Sequence, residues 1–302
     1  MTGRTHTFSP YTAAKIAGVT LATAFLVVAQ ASGGAPAKTG YAPVNGLNVY
    51  YEIHGTGAPL ILLHGGLMST AMEGDLIAEL SKTRQVIALD LQAHGRTADI
   101  DRPMSVEAMA DDVAGVMKFL AIPKADVMGY SLGGATALQM TIRHPEMVRK
   151  LVLVSTAFKR DAWFPEGRAQ MSQMGPASAE MMKPSPLYQT YARVAPRPED
   201  WTRLVTKVAE LLKKDYDWSE QVRAIKSPTM LVFGDNDALP PSYDAEFFAL
   251  LGGGQKDAGW DGSGMSTSRL AILPGATHYN ITSSPALVPA VLPFLDAPMP
   301  AK

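Results

Sequence analysis

The most constraining feature of this chain is a short apolar strand that runs straight into a glycine-flanked serine. Residues 125–134 read Ala-Asp-Val-Met-Gly-Tyr-Ser-Leu-Gly-Gly, and apolar residues at helical spacing follow them. A strand that reverses directly into a helix needs residues without a Cβ atom at the crowded turn, and Gly129 and Gly133 meet that need. We therefore expect Ser131 to be lifted out of a sheet as a nucleophile. A glycine-rich turn with an incidental serine is the alternative interpretation.

A second apolar run indicates where negative charge on a substrate would be stabilised. Leu60 to Leu63 has the composition of a strand buried on both faces, and it ends in His-Gly-Gly-Leu at residues 64–67. Glycines let backbone amides approach a developing oxyanion closely. We expect the amide of Gly66 or Leu67, together with that of Leu132, to form an oxyanion hole, and the sequence leaves the choice between the first two open.

Two later strand ends supply an acid and a base. An apolar run at 230–233 delivers Asp235 and Asp237, and another at 270–273 leads to His278 on the loop that follows. A serine hydroxyl is a weak nucleophile at neutral pH and needs a neighbouring base, which a carboxylate must orient. His278 is the best candidate base in the chain, and two carboxylates compete for the third position.

The order serine, acid, histidine, each after a buried strand, resembles the α/β-hydrolase superfamily over about residues 41–295. The resemblance implies an α/β fold with a mostly parallel central sheet, flanking helices and an inserted helical lid. It also implies that Asp237 is the acid, because the family usually closes a G-x-x-D stretch after the seventh strand. Asp235 would then cap local amides, and Asp161, beyond the sixth strand, is a more distant candidate.

The same resemblance gives two further residues a structural meaning. It implies that His64 holds the oxyanion loop by hydrogen bonds. Ala93 stands where family members usually carry glycine, which puts the exact path of that loop in doubt.

The activity implied is that of a serine hydrolase, which cleaves small to medium carboxylic esters or lactones through an acyl-enzyme and needs no cofactor. A cofactor-free perhydrolase or haloperoxidase, or a carbon–carbon bond hydrolase, uses the same triad and is an alternative. A ligand-binding, receptor-like protein that retains the fold is an alternative of another class. A metal site is not expected, since the chain has no cysteine and no paired-histidine ligand spacing.

The first forty residues carry an export signal in their pattern. Basic residues at 4 and 15 precede an apolar run over 16–29, and Ala29-Gln30-Ala31 forms a cleavage site. We expect residues 1–31 to be a signal peptide, residues 32–40 a flexible lead-in and residues 41–302 a single hydrolase domain. An exported protein, periplasmic or secreted, follows, with a retained membrane anchor as the alternative.

Composition restricts the partners. The chain has 302 residues, 47% of them hydrophobic, and a formal net charge of −1. Scattered lysines and arginines offer no electrostatic footprint for nucleic acid. We expect a small-molecule ester or lactone as the partner and no stable membrane association after signal cleavage. The sequence gives no indication of the oligomeric state.

Roughly 70 residues separate the strands expected at 151–154 and 230–233, which is far longer than an ordinary connection. We expect this insertion to be a lid over about 159–225, with a central helix over 199–214. Its adaptable methionines and aromatic residues include candidates for the wall of a substrate pocket above the nucleophile; these are Trp163, Met171, Met174, Met181 and Tyr188. Others of the set should pack in the core.

A glycine-rich polar stretch over 252–268 departs from the common family pattern. We expect a solvated surface loop there. The alternative is that it borders the substrate entrance, because it leads into the strand before His278.

Overall fold

One eight-stranded sheet organises the molecule. The computed structural model describes residue 36 and residues 38–300. The strands are β1 (Lys38–Val44), β2 (Leu47–His54), β3 (Ala58–Leu63), β4 (Arg84–Leu89), β5 (Ala125–Tyr130), β6 (Val148–Val154), β7 (Thr229–Asn236) and β8 (Arg269–Thr277).

The sheet has the order β1-β2-β4-β3-β5-β6-β7-β8. β1 pairs with β2 and β2 with β4 in antiparallel register, and all other neighbours are parallel. Because parallel strands point the same way, the carboxyl ends of β3 to β8 lie at one edge of the sheet, where ligands bind in open α/β sheets. The expected fold class, a mostly parallel sheet flanked by helices, is confirmed.

The helices are α1 (Gly74–Leu80), α2 (Val106–Phe119), α3 (Leu132–Arg143), α4 (Pro165–Gln173), α5 (Pro176–Met181), α6 (Pro186–Val194), α7 (Trp201–Leu212), α8 (Ser219–Ala224), α9 (Pro241–Leu250) and α10 (Leu287–Asp296). α4 to α8 all lie within residues 159–225, which we call the insert. In the part of the chain that the structure describes, no helix is long and apolar enough to cross a membrane.

Two apolar layers sandwich the sheet because side chains alternate along each strand. In β3, Ile61 and Leu63 pack into the layer that contains residues of α2, α3 and α9. Leu60 and Leu62 point to the opposite layer, which is completed by residues of α1 and α10. A strand buried on both faces is what the continuous apolar run predicts.

Two expected boundaries need adjustment. Residues 38–40, assigned to the flexible lead-in, belong to β1, because Lys38, Thr39 and Gly40 pair in register with β2. The expected signal peptide and the rest of the lead-in, apart from residue 36, lie outside the described residues. The expected helix over 199–214 begins later, at Trp201, since residues 198–200 form a short 3-10 turn that starts at a proline.

The loop over 252–268 lies at the amino end of β8, whereas His278 follows its carboxyl end. β8 has nine residues, so the two are separated by about 30 Å at the usual rise of a strand. The loop is mostly exposed, and the Trp260 side chain is fully open to solvent. It therefore does not border the candidate site, and the expectation of a surface loop is the one that holds.

Candidate active site

Ser131 occupies the sharp turn between β5 and α3. Its backbone has φ 52° and ψ −113°, a conformation that is uncommon outside glycine. A Cβ atom on Gly129 would lie 2.2 Å from the Gly133 carbonyl oxygen, and one on Gly133 would lie 2.3 Å from that of Leu63. Only glycine fits at either position, so the predicted strand–turn–helix context of the serine is present.

His278 and Asp237 converge on this serine from two other strand ends. His278 Nε2 lies 3.1 Å from Ser131 Oγ, and His278 Nδ1 lies 3.0 Å from Asp237 Oδ1. Because an ionised carboxylate can only accept, Nδ1 carries the proton and Nε2 is free to accept from the serine hydroxyl. The side chain of His278 is 9% exposed and that of Asp237 is 0% exposed, so the line of hydrogen bonds is shielded from water over most of its length.

The Asp237 carboxylate is held by donors on both oxygens. The Ala238 amide donates to Oδ1 at 2.7 Å, while the Gly234 amide, at 3.2 Å, and the Ser155 hydroxyl, at 2.5 Å, donate to Oδ2. Burial by itself would raise the pKa of Asp237. The hydrogen bond and positive charge of His278, with the bonds from Ser155 and Gly234, outweigh burial and hold that pKa below its ordinary value.

The two competing carboxylates lie elsewhere. Asp235 is exposed, accepts from the Gly275 amide at 2.9 Å and from the Asn236 side chain at 2.8 Å, and so caps local groups. Asp161 is exposed in a 3-10 turn over 160–162. The structure thus brings Asp237, and neither of the others, to the histidine.

The glycine loop after β3 lies beside the first turn of α3. A Cβ atom on Gly66 would be 3.7 Å from Leu132 Cβ. A turn closed by the Met68 amide on the Gly65 carbonyl, at 3.2 Å, does not use the amides of Gly66 and Leu67. Leu132 opens α3, whose amino end favours negative charge. The loop that carries Gly66 and Leu67 therefore lies against Leu132, and the choice between Gly66 and Leu67 as the first oxyanion donor stays a prediction.

His64 pins this loop to the loop after β4. Its Nδ1 donates to the Gly65 carbonyl at 2.8 Å, and its Nε2 accepts from the Leu91 amide at 3.1 Å. Burial lowers the pKa of His64 to about 4, so the ring is neutral and keeps both bonds at neutral pH. The hydrogen-bonding role implied by the resemblance is present in the structure.

Aromatic rings surround the base. The Trp163 ring meets the His278 ring edge-on at 5.1 Å between centroids, and the rings of Tyr130 and Tyr279 lie at 5.4 and 5.5 Å. The Tyr130 hydroxyl also donates to the His278 backbone carbonyl at 2.5 Å. Rings on several sides limit how far the imidazole can turn.

Four of the five expected pocket residues divide into three groups. Trp163 contacts the site directly through the His278 ring. Met174 and Tyr188 are half-buried and pack on the core, and Tyr188 meets the Trp201 ring at 5.5 Å. Met171 is half-buried on α4.

The fifth expected pocket residue, Met181, differs from the other four because it is 74% exposed. α5 buries Ser178 and Ala179 and ties Ala179 to the Trp201 ring nitrogen by a 2.9 Å bond. A residue two positions further on a helix points away from the buried side.

Sequence reasoning missed Tyr130 and Ser155. Tyr130 is the variable residue of the serine turn, and nothing in the sequence marks it. Ser155 directly follows the apolar strand β6, and polar residues that follow parallel strands are candidates for a site. The place of Ser155 directly after β6 is the signal that marks it.

Several known hydrolases are similar to this chain in sequence. A family model described as alpha/beta hydrolase fold matches residues 58–183. The pimeloyl-[acyl-carrier protein] methyl ester esterase of Neisseria meningitidis serogroup B is 31% identical over 236 residues, which cover 72% of this chain and 84% of that protein. The 2-hydroxymuconate semialdehyde hydrolase of Pseudomonas sp. strain CF600 is 35% identical over 144 residues, which cover 46% of this chain and 50% of that protein.

Among solved structures, the enol-lactonase from Burkholderia xenovorans LB400 aligns with a TM-score of 0.62 at 23% identity, covering 85% of this chain and all of that one. At this identity the likeness speaks for the fold alone. The esterase relative is 31% identical and aligns over 84% of its own length, which is enough to show common family membership. This chain belongs to the α/β-hydrolase family.

Proposed function

We propose that this protein is a serine hydrolase that cleaves small to medium carboxylic esters or lactones through an acyl-enzyme. The observation that carries the proposal is the hydrogen-bonded line from Ser131 through His278 to Asp237, with contacts of 3.1 and 3.0 Å. A hydroxyl, a neutral imidazole and a buried carboxylate in this order form the arrangement that turns serine into a nucleophile.

The first half-reaction forms the acyl-enzyme. Ser131 Oγ attacks the ester carbonyl carbon while His278 Nε2 takes its proton. The amides of Leu132 and of Gly66 or Leu67 stabilise the oxyanion, and Asp237 stabilises the imidazolium that has formed. The intermediate then expels the alkoxide, and His278 returns the proton to it.

The second half-reaction releases the acid. A water molecule gives a proton to His278 Nε2 and attacks the acyl carbon, and the intermediate collapses with the proton returning to Ser131 Oγ. A lactone follows the same steps, except that its alcohol is part of the acyl group, so hydrolysis of the acyl-enzyme releases a single hydroxy acid.

The insert lies against the candidate site. A Cβ atom on Gly66 would be 4.0 Å from Val208 Cγ1 on α7, so this helix lies against the oxyanion loop. Trp163, at the start of the insert, lies against His278. We propose that the insert acts as a lid whose apolar inner face receives the acyl or aryl part of the substrate.

The similarity to a methyl ester esterase over 84% of that protein supports an ester, whereas the similarity to 2-hydroxymuconate semialdehyde hydrolase, over 50% of that protein, supports the carbon–carbon alternative. The alternatives on the same triad, a perhydrolase or a carbon–carbon bond hydrolase, predict activity in the presence of hydrogen peroxide or on vinylogous diketones, with esters turned over poorly. A receptor-like protein predicts a single acylation or none, without turnover.

Replacing the nucleophile tests the proposal. Ser131→Ala should fold normally and lower kcat for p-nitrophenyl esters by roughly 10⁴- to 10⁶-fold, as removal of a triad member does. A fluorophosphonate probe should label the wild type and leave Ser131→Ala unlabelled. Ser263→Ala, an exposed serine in the loop at the far end of the sheet, is the matched control and should behave as wild type. Near-normal ester turnover by folded Ser131→Ala would refute the mechanism.

A further inference from the structure

The end of strand β6 touches both ends of the candidate triad. The Val154 carbonyl accepts the Ser131 amide at 3.0 Å. The hydroxyl of the next residue, Ser155, donates to Asp237 Oδ2 at 2.5 Å. One dipeptide thus holds the backbone of the serine turn and the side chain of the acid.

Ser155 is an unusual residue for its position. Its backbone has φ 48°, in the left-handed region that favours glycine, and its side chain is fully buried. Its amide donates to the Val232 carbonyl at 2.9 Å, so pairing with β7 keeps this conformation in place. Glycine would adopt it without strain, and a buried hydroxyl is tolerated only where it finds a partner.

The partner explains why serine stands there. Asp237 Oδ1 faces His278 Nδ1, and Oδ2 faces Ser155. A carboxylate can rotate about its last torsion angle, which is broad. A short bond to Oδ2 restricts that rotation and keeps Oδ1 in line with the imidazole.

We propose that Ser155 is a positioning residue of the hydrolase, whose hydroxyl orients the Asp237 carboxylate toward His278 and whose strained backbone aims that hydroxyl. The inference rests on the proposed function. Ser155 would be a fourth member of the line of hydrogen bonds. It directly follows β6, a strand whose end carries none of the triad residues.

Two variants remove the hydroxyl with opposite effects on the backbone. Ser155→Ala keeps the strain, whereas Ser155→Gly relieves it. We expect kcat for p-nitrophenyl esters to fall roughly 10- to 100-fold in both, the usual effect of losing a hydrogen bond to a charged group, with KM nearly unchanged. The Tm of Ser155→Gly should equal or exceed that of Ser155→Ala, so activity and stability separate.

The pH profile of kcat distinguishes a positioning role from a merely structural one, because a general loosening of the fold would not shift it. The titratable groups that surround Asp237 are His278, Asp244 on α9 and Tyr130 at the end of β5. The Ser155 hydrogen bond helps to hold the pKa of Asp237 down. Without it, the Asp237 carboxylate is less stabilised and the hydrogen-bonded pair of Asp237 and His278 binds its proton more tightly, so the acid limb of kcat, which reports the pair as a unit, should move to higher pH.

Thr229→Val is the matched control. Thr229 is a fully buried hydroxyl at the amino end of β7, and it donates to the Ser227 carbonyl at 3.0 Å, away from the triad. Its variant should keep wild-type kcat and pH profile. Wild-type kcat in folded Ser155→Gly would overturn the inference even if Ser131→Ala is inactive, whereas an active Ser131→Ala would overturn the proposed function itself.

Discussion

At the scale of single residues, the site is built from strained backbone. Leu67, Ala93, Ser131 and Ser155 all have positive φ although none is glycine, and they follow β3, β4, β5 and β6 in turn. Each such residue costs roughly 1–3 kcal/mol, and such residues concentrate at functional sites. Ala93, with φ 67°, shows why a glycine is usual there: the conformation is the one that glycine adopts without strain.

The choice between the two aspartates is a prediction at this scale. Asp237→Asn removes the acceptor that selects the tautomer of His278, so kcat should fall by roughly 10³- to 10⁴-fold while the fold persists. Asp235→Asn keeps an oxygen that can accept from the Gly275 amide, and kcat should stay within roughly two-fold, as for most surface changes. Steady-state kinetics on the same ester, with circular dichroism to verify folding, compares them. A larger loss in Asp235→Asn would contradict the assignment of the acid.

At the scale of elements, ion pairs hold helix α7 of the insert against the loop that follows β4. Asp99 Oδ2 lies 2.6 Å from Arg203 Nε and 2.7 Å from Lys207 Nζ, both on α7. Lys207 Nζ also donates to the carbonyls of Ile100 and Arg102 at 2.8 Å. The carboxylate itself is almost fully buried. These contacts hold α7 in the position where Val208 lies against the glycine loop after β3.

Deleting one of these cations should therefore loosen α7 selectively. Lys207→Met keeps the length of the side chain and removes its charge and hydrogen bonds, at a cost of about 1–3 kcal/mol. Hydrogen exchange should speed up in the amides of α7 and stay unchanged in β3, β5 and β6. Lys213→Met, an exposed lysine at the end of the same helix, should leave both regions as they are. Equal acceleration in the sheet would mean that the contact supports the whole fold.

At the scale of the whole molecule, buried titratable groups act in opposite directions on stability. Burial lowers the pKa of His64 to about 4 and that of His94 to about 3. When the pH is below 6.5, the ordinary pKa of histidine, these two side chains bind protons in the unfolded chain but stay neutral in the native state. The free energy of unfolding therefore falls as the pH drops. Burial and the Asp90 carboxylate raise the pKa of Glu73 to about 8, from 4.5. Between pH 4.5 and pH 8, Glu73 keeps its proton in the native state and loses it in the unfolded chain. The free energy of unfolding therefore falls as the pH rises through this range.

Glu73→Gln should remove the loss of stability that the wild type shows as the pH rises. The side chain of Glu73 is buried, and its Oε1 finds no hydrogen-bond partner among the described residues. An amide does not titrate, so the Tm of the variant relative to wild type should become steadily more positive from pH 5 to pH 8. Each unit of pKa difference is worth about 1.4 kcal/mol. Exposed Glu210→Gln is the control, and a Tm difference for Glu73→Gln that does not change with pH would refute the assignment.

The sequence by itself determined the parts of this protein that are local. The apolar runs marked the strands that end at the site, because burial on both faces requires continuous apolar residues. The glycines around Ser131 marked the sharp turn, because no other residue fits there. The order of serine, aspartate and histidine then indicated the family.

Tertiary structure decided what depends on contacts between distant segments. Ser155 and Asp237 are separated by 82 positions, and Tyr130 and His278 by 148, so no local pattern could pair them. The exposure of Met181 followed from which face of α5 meets α7. Local sequence specifies turns and strand ends, whereas the packing of strands against one another selects which side chains meet.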